Sequence, residues 1–214
     1  MKENGENFYR LGHEYYAQGN LSEAEKNWLL AKNYGHVDAM YNLGVLYQAQ
    51  GKNLDAEECY LQAIKNGHVD ALINLGVIHE DFGDPLKSEE YYLQAIEHGN
   101  GDAMYNLGVL YYKQGKHSEA EKYYLQATKK GIVDAMNNLG KLYQEQDKNL
   151  DAEEYYLKAS NNGHILATFN LGNLYANQGK NLKAEKCFLW VIENGIGDVR
   201  YKAKYNLDKL REKF

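Results

Sequence analysis

The stretch MYNLGVLY occurs twice in this sequence, as residues 40–47 and again as residues 104–111. In both copies a glycine stands within a run whose apolar residues have the helical period of about 3.6 residues. Glycine inside a helix costs about 1 kcal/mol relative to alanine, so its repetition indicates a place where two helices approach closely. The interval at which the stretch returns therefore predicts the architecture of the chain.

The Leu-Gly pair of this stretch returns every 32 residues through most of the chain. Its copies are Leu11-Gly12, Leu43-Gly44, Leu75-Gly76, Leu107-Gly108, Leu139-Gly140 and Leu171-Gly172. A fixed period between about 20 and 50 residues is typical of stacked repeats that bury their apolar faces against one another. Two helices joined by a tight turn fit this unit, which predicts an all-α solenoid of about six helix-turn-helix repeats.

Polar residues and glycines at fixed offsets mark the ends of the predicted helices. Aspartate suits the N-cap of the first helix, and glycine suits both the turn within a unit and a left-handed C-terminal cap. The predicted N-caps are Asp38, Asp70, Asp102 and Asp134. The predicted turn glycines are Gly51, Gly83, Gly115 and Gly179, and the predicted caps are Gly35, Gly67, Gly99, Gly131, Gly163 and Gly195. Pro85 follows Asp84 and suits the first turn of a helix.

Gly44 shows what the interior glycines are expected to do. It shares the apolar face of its helix with Leu43, so it lies at the contact with the second helix. We expect Ala56 and Ala63 to be its small partners there, with Tyr60 filling the space beside them.

Composition narrows the class of protein. The chain has 214 residues, of which 44% are apolar and 25% charged, and no Pro-rich or Gly/Ser-rich linker divides it. The net charge of -6 argues against a nucleic-acid partner, which requires clustered Lys and Arg. No stretch is long and apolar enough for a membrane span or a signal peptide, so we expect no membrane partner and a cytoplasmic location. Lysine outnumbers arginine 21 to 3, which favours a bacterial source.

The chain has two cysteines, Cys59 and Cys187, which lie 128 residues apart in different repeats. A disulfide requires Cα atoms within about 7 Å of each other. We therefore expect both to be free thiols.

Further residues at fixed offsets connect the repeat to a known family. The run Tyr-Asn-Leu-Gly, followed by tyrosine three residues after the glycine and by Ala, Tyr and Ala 12, 16 and 19 residues after it, resembles the tetratricopeptide repeat. The loop GHVDAMYNLG at residues 35–44 is similar to the related Sel-one-like repeat. The resemblance extends from Glu6 to Ile196.

The predicted organisation is a single domain over residues 1–214. The repeats are placed at 5–36, 37–68, 69–100, 101–132, 133–164 and 165–196, followed by a C-terminal capping helix at 197–214. The resemblance implies a right-handed superhelix whose first helices form a concave face, used as a protein-interaction scaffold. One departure is an invariant leucine where the tetratricopeptide pattern is more often polar. It occurs at Leu29, Leu61, Leu93, Leu125, Leu157 and Leu189.

An asparagine precedes the Leu-Gly pair in most units, about 100° around the first helix from the leucine. These residues are Asn42, Asn74, Asn106, Asn138 and Asn170, with Asn206 in the last helix. In similar tetratricopeptide superhelices this asparagine bonds the backbone of a bound extended peptide, since an amide offers a donor and an acceptor. The alternative is an inter-repeat hydrogen bond that sets the stacking of the repeats. Both remain open at this stage.

Aromatic residues stand one position before the asparagines. Tyr41, Tyr105 and Phe169 are predicted to supply apolar contact area in a peptide groove, or else to pack between adjacent first helices. Other groove positions are mixed in polarity, and among them Tyr112 and Lys113 are predicted binding residues. Lys141, Gln144, Glu145, Asn173 and Asn177 also face the predicted groove.

Catalytic and metal-binding patterns do not emerge from the sequence. His36, His68 and His164 occupy the same loop position in different repeats, so they are not expected to converge on one ion. No phosphate-binding glycine loop and no nucleophile with a nearby base are apparent. We expect no metal, no cofactor and no enzymatic activity.

The sequence thus predicts a non-enzymatic scaffold that binds an extended peptide or protein segment in its concave groove. The alternative is a self-assembling module that forms a homo-oligomer. Paired tyrosines motivate that alternative, because an exposed aromatic ridge would mark an interface. The pairs are Tyr91-Tyr92, Tyr123-Tyr124 and Tyr155-Tyr156.

Overall fold

The computed structural model describes residues 2–212, and this part of the chain contains thirteen α-helices and no strand. The prediction of an all-α fold is confirmed. The first helices are α1 (Lys2–Ala17), α2 (Leu21–Asn33), α3 (Val37–Ala49), α4 (Asn53–Lys65), α5 (Ala71–Asp81) and α6 (Pro85–Glu97). They are followed by α7 (Gly101–Lys113), α8 (His117–Lys129), α9 (Val133–Glu145), α10 (Asn149–Asn161), α11 (Ile165–Asn177), α12 (Asn181–Asn194) and α13 (Gly197–Arg211).

The helices form two compact units, one ending at Ala103 and the other beginning at Met104. In the first unit, each helix from α1 to α6 packs on the next one along the chain. In the second unit the same is true from α8 to α13, and α13 also contacts α11. The single domain, the right-handed course and the number of repeats stay predictions.

Glycines end the helices much as the sequence predicts. Gly67 has a φ of 93°, and its amide donates to the carbonyl of Ile64 at 2.8 Å, which closes the last turn of α4. Asp147 adopts a φ of 58° at the position where the preceding repeat has Gly115. Gly195 was predicted to cap α12 in the left-handed conformation, and this is wrong, because its φ is −86°.

The predicted aspartate N-caps are wrong for helices α3 and α9. Helix α3 begins at Val37, and its N-cap is His36, whose Nδ1 accepts from the amide of Ala39 at 3.4 Å. Asp38 therefore lies inside the first turn, where its carboxylate interacts favourably with the positive end of the helix dipole. Asp70 is the N-cap residue of α5, as predicted, but its side chain makes no cap bond. Asp102 and Asp134 lie in the first turns of α7 and α9. The Asp84-Pro85 start of α6 is confirmed.

Aromatic rings lie against the interior glycines. A Cβ atom placed on Gly140 would come within 2.5 Å of Cδ1 of Tyr156 on α10, and Gly44 faces the ring of Tyr60 on α4 in the same way. The expectation that Tyr60 fills the space beside Gly44 is confirmed, and the ring, not Ala56 or Ala63, makes the closest contact with this glycine. Both alanines are fully buried. The glycine leaves space for a ring that enters the core between the two helices.

The paired tyrosines do not form an exposed ridge, because the second member of each pair is in the core. These buried rings are Tyr92, Tyr124 and Tyr156. The first members, Tyr91, Tyr123 and Tyr155, are partly buried. The structural premise of the tyrosine-mediated interface is thus wrong.

Leucines, in contrast, are exposed on the second helices. The invariant leucine is between 36% and 45% exposed at Leu29, Leu61, Leu93, Leu157 and Leu189. A second leucine seven residues earlier shares its face and is between 74% and 82% exposed at Leu54, Leu86, Leu150 and Leu182. We refer to these nine residues as the leucine rows.

Cys59 and Cys187 are free thiols, as predicted. Burial raises the pKa of both, to about 11 for Cys187. None of the helices within residues 2–212 combines the length and apolar character that a membrane crossing requires.

Replacing Gly140 with alanine should destabilise the protein by about 1–3 kcal/mol, because the added methyl overlaps the Tyr156 ring in a packed core. The loss should occur even though alanine favours a helix by about 1 kcal/mol relative to glycine. Urea denaturation of Gly140→Ala and wild type measures the difference.

The control is the same substitution in a Tyr156→Leu background, where no ring occupies the space. Gly140→Ala should then change the free energy of unfolding by less than about 1 kcal/mol. An equal loss in both backgrounds would show that the ring is not the cause.

Candidate functional site

Within each unit, asparagines on alternate helices bond to the previous helix of this series. In the first unit, Nδ2 of Asn42 on α3 lies 3.2 Å from Nε2 of His13 on α1. Asn74 on α5 donates from Nδ2 to the hydroxyl of Tyr41 on α3 at 3.3 Å. These amides therefore hold neighbouring helices in register.

The second unit repeats this arrangement. Asn138 on α9 donates to the hydroxyl of Tyr105 on α7 at 3.5 Å, and Asn170 on α11 donates to Oδ1 of Asn137 at 3.0 Å. The contacts connect residues 33 positions apart, one repeat plus one residue.

The last helix joins the same series through Asn206, which donates to Oδ1 of Asn173 at 2.7 Å. Asn106 is partly buried on α7. The inter-repeat bonds are those that the stacking alternative predicts. A role of the asparagines in holding a ligand stays a prediction.

The three predicted groove aromatics each place one side against the core. The ring centroids are 5.8 Å apart for Tyr41 and Tyr60, 6.2 Å for Tyr105 and Tyr124, and 6.1 Å for Phe169 and Phe188. Tyr41 also stacks on His68 at 4.2 Å. All three aromatics are only partly buried, so part of each ring remains available to a ligand.

The loop histidines reach back to an acidic residue of the previous repeat. The contacts are His36 to Glu6 at 3.0 Å, His68 to Asp38 at 3.7 Å and His164 to Asp134 at 2.9 Å, each from Nε2 to a carboxylate oxygen. In the repeat after His68, Asn100 occupies the equivalent position, and its Nδ2 donates to Oδ1 of Asp70 at 3.2 Å. The regular spacing of these aspartates thus reflects contacts between repeats, which the sequence pattern alone did not predict.

The loop histidines do not form a metal site with one another. Two of them, His36 and His164, also accept an amide hydrogen as helix N-caps. Within residues 2–212, no group of three or more His, Cys, Asp or Glu side chains is placed to hold an ion.

A second set of contacts links α3, α9 and α11 to the helix that precedes each of them. A tyrosine hydroxyl donates to a glutamate in three pairs, Tyr47 to Glu25 at 2.9 Å, Tyr143 to Glu121 at 2.8 Å and Tyr175 to Glu153 at 2.9 Å. His79 replaces this tyrosine on α5. Its Nε2 lies 3.4 Å from Glu57 but has no hydrogen-bond geometry, so a buried nitrogen is left unpaired.

A third contact closes three of the hairpins. The buried tyrosine of the second helix donates to a residue four positions after the interior glycine. These bonds are Tyr60 to Gln48 at 2.9 Å, Tyr92 to Glu80 at 2.8 Å and Tyr156 to Gln144 at 2.9 Å. In the remaining hairpin of this type Tyr112 stands at the acceptor position, opposite Tyr124.

Tyr112 turns away from its own hairpin. Its hydroxyl lies 2.7 Å from both carboxylate oxygens of Glu145 on α9. Nζ of Lys141 lies 4.9 Å from the centre of the Tyr112 ring and 3.8 Å from Glu145. The space that a glutamine would occupy beside Tyr124 is open as a consequence.

The resulting cavity, which we call the Tyr124 pocket, has a volume of about 260 Å³. It is lined by Val109, Tyr112, Lys113, Tyr124, Asn138 and Lys141. All six residues belong to the second unit.

The Tyr124 hydroxyl is a hydrogen-bond donor in the Tyr124 pocket. Burial raises the pKa of Tyr124, so its hydroxyl keeps its proton at neutral pH. The same hydroxyl lies 3.5 Å from Nδ2 of Asn138, which is a weak, long bond. Burial and the carboxylate of Asp134 raise the pKa of the adjacent Tyr105, against the opposing effects of Asn138 and Lys113.

The pocket brings together three predicted binding residues, Tyr112, Lys113 and Asn138. Tyr105 adjoins it through its bond to Asn138. Tyr124 was not predicted as a pocket residue, and Lys141 was predicted to face the groove without being counted among the binding residues. The available signal was position 112, where the repeat has tyrosine in place of glutamine or glutamate.

The other predicted residues lie outside this pocket. Tyr41, Asn42 and Asn74 are in the first unit, and Phe169 and Asn170 are on α11. A smaller pocket of about 170 Å³ lies between α11, α12 and α13. Its lining includes the predicted groove residues Asn173 and Asn177.

Sequence profiles identify the family. Three profiles of the tetratricopeptide repeat match, one at residues 69–130, one at residues 9–51 and 105–165, and one at residues 37–66. The chain belongs to the tetratricopeptide repeat family. No curated protein matches the sequence.

Solved structures agree on the fold. A protective antigen of uropathogenic Escherichia coli with an SLR fold superposes with a TM-score of 0.78 at 22% identity, covering 98% of this chain and 50% of that protein. A Sel1 repeat protein from Oxalobacter formigenes gives 0.68 at 23% identity, covering 98% and 86%. A tetratricopeptide repeat protein from Parabacteroides merdae gives 0.69 at 17% identity, covering 98% and 88%. This chain thus spans about half the length of the first of them.

Repeats of this family generally mediate protein–protein interactions, and the family is typically a non-enzymatic scaffold. The superpositions with these structures show the fold of the chain.

Replacing His79 with tyrosine should stabilise the protein by about 1 kcal/mol, because the hydroxyl could donate to Glu57 as it does to the equivalent glutamates. The reverse change, Tyr143→His, should lower stability by a similar amount. Thermal and urea denaturation of both variants measure this. If His79→Tyr proves neutral or destabilising, the unpaired nitrogen is not a weak point of the core.

Proposed function

We propose that this chain is a non-enzymatic scaffold that binds an extended protein segment along the concave face implied for its family. The observation that carries the proposal is the Tyr124 pocket, where Tyr112, Lys113 and Asn138 line one cavity. Pockets that join apolar rings to a few polar groups are the usual form of binding sites.

The chemistry of the lining suits a peptide. Partly buried rings offer contact area at low entropic cost, and the amide and ammonium groups can bond peptide carbonyls. An asparagine amide has two N–H donors and one carbonyl acceptor. Asn74 bonds the previous helix through Nδ2, which leaves its carbonyl oxygen as an acceptor for a ligand, so stacking and binding are compatible roles.

Residues away from the pocket extend the proposed surface in each unit. In the first unit these are Tyr41, Asn42 and Asn74, which are all partly buried. In the second unit they are Tyr105, Phe169 and Asn170, with the same partial burial. We propose that the rings of these residues hold ligand side chains and that the amides hold the ligand backbone.

The experiment is selection of a random peptide library against the purified protein, followed by affinity measurements on the enriched peptides. The double variant Tyr112→Ala/Lys113→Ala should lose affinity by about tenfold or more, since it removes one wall of the pocket. The matched control is Lys129→Ala/Lys130→Ala at the exposed end of α8, which should bind as wild type does. Circular dichroism checks that all three proteins are folded. Failure to enrich any peptide, or equal binding by the pocket variant, would contradict the proposal.

The asparagines need a separate measurement because they also join the repeats. The triple variant is Asn74→Ala/Asn106→Ala/Asn138→Ala. If these asparagines hold the ligand, the variant should lose much more binding free energy than free energy of unfolding. Unchanged affinity together with reduced stability would assign the asparagines to stacking alone.

A second candidate function is self-association through the leucine rows. Four of these leucines are 74% to 82% exposed and recur on one face of several helices. Such repeated exposure of a large apolar side chain is unusual on a protein surface. This observation replaces the tyrosine ridge as support for a homo-oligomer.

Mass measured by light scattering tests self-association. The wild-type mass should rise above 24.5 kDa as concentration increases. The variant Leu54→Ser/Leu86→Ser/Leu150→Ser/Leu182→Ser should stay a monomer, because it lacks the apolar side chains of the proposed interface. It should still fold, because these exposed side chains contribute little to the fold. A wild-type protein that remains monomeric at every concentration would exclude this function.

A further inference from the structure

The leucine rows differ in charge between the two units. On α4, Glu58 lies between Leu54 and Leu61 on one face of the helix, and all three side chains are exposed. The corresponding exposed residues of α6 are Leu86, Glu90 and Leu93. We call these two surfaces of the first unit the acidic leucine faces.

The carboxylates of the acidic leucine faces have neutral partners. Nε2 of Gln62 donates to Glu58 at 3.0 Å, and Nε2 of Gln94 donates to Glu90 at 3.3 Å. Because an amide carries no charge, these bonds do not neutralise the carboxylates. Helices α4 and α6 each contain three acidic residues and one lysine. The acidic leucine faces are therefore both apolar and negatively charged.

Lysines change the corresponding faces of the second unit. On α10, Nζ of Lys158 lies 2.6 Å from Glu154, which occupies the position of Glu58. On α12, Lys186 replaces the glutamate at this position. A basic partner should therefore be attracted more strongly to the acidic leucine faces than to α10 and α12.

The last helix, α13, has a surface that complements the acidic leucine faces. It contains five basic residues and two acidic ones, whereas each of the helices α1 to α12 is neutral or acidic. Tyr201 and Tyr205 lie on its outer face and are 80% and 57% exposed. Lys204 and Lys209 flank these rings around the helix, and Nζ of Lys209 is 5.2 Å from the centre of the Tyr205 ring. Exposed aromatic rings between ammonium groups suit leucines beside carboxylates.

We propose that the outer face of α13 in one copy of this chain docks on the acidic leucine faces of a second copy. The inference rests on the second candidate function, self-association, and deepens it by naming the surface that covers the leucines. The two tyrosines pack against the leucines, and the flanking lysines approach Glu58 and Glu90. Apolar contact supplies affinity, and the charges orient the two copies. Because two different surfaces meet, the contact is heterologous.

The first test follows the mass of the full chain by light scattering as its concentration increases. The variant Tyr201→Ser/Tyr205→Ser should associate about tenfold more weakly than wild type, because it removes the aromatic anchors. Leu54→Ser/Leu86→Ser, which alters the opposite surface, should have an effect of similar size. Circular dichroism checks that both variants are folded, as expected for substitutions of exposed side chains.

The matched comparison is Leu150→Ser/Leu182→Ser on the second unit. This variant removes equally exposed leucines from α10 and α12. It should weaken association by less than about threefold, because lysines there reduce the attraction for α13. An effect as large as that of Leu54→Ser/Leu86→Ser would contradict the preference for the acidic leucine faces.

A charge exchange tests whether these two surfaces meet. The variants Glu58→Lys/Glu90→Lys and Lys204→Glu/Lys209→Glu should each associate about tenfold more weakly alone, because like charges then face each other. An equimolar mixture of the two variants should associate within about threefold of wild type, because the new lysines of one meet the new glutamates of the other.

The outcomes separate this inference from the function on which it rests. If wild type associates but the α13 variants associate equally well, or the mixture is not restored, the docking of α13 is wrong and self-association through the leucine rows stands. If folded wild-type protein stays a monomer at every concentration, both fail. The peptide-binding proposal is tested separately by the library selection.

Discussion

The close contact between an interior glycine and an aromatic ring is the constraint on which the hairpins depend. A side chain at Gly140 would overlap the ring of Tyr156, and the same relation holds for Gly108 with Tyr124 and for Gly172 with Phe188. The absence of a Cβ atom lets a large ring enter between two helices, where it is almost fully buried. The helical penalty of each glycine is offset by the burial of a whole aromatic side chain.

This contact also sets where the tyrosine hydroxyl ends. With the ring over the glycine, the hydroxyl reaches the residue one turn further along the first helix, which is why Gln48 and Gln144 receive it. A single change at that position, Tyr112, redirects the local hydrogen bonds to Glu145 and opens the Tyr124 pocket. A cavity thus arises from one altered position in an otherwise repeated frame.

The inter-repeat contacts explain why part of the site could be predicted and part could not. The asparagine series and its aromatic neighbours follow from helical spacing, because residues one position apart on a helix differ in direction by about 100°. The N-caps did not follow, since His36 competes with Asp38 through its contact with Glu6, a residue 30 positions earlier. The choice between Tyr91 and Tyr92 for the core likewise depends on which ring meets the glycine.

By itself the sequence determined the helical period, the turns at most glycines and the residues that line one face of the first helices. These features depend on local geometry and on spacing within one unit, which a repeated pattern displays directly. Tertiary structure decided which tyrosine enters the core, which residue caps each helix and where a cavity opens. Those outcomes depend on side chains from different helices competing for the same space and the same hydrogen bonds, and Tyr124, Tyr112 and Glu145 are brought to one place only by packing.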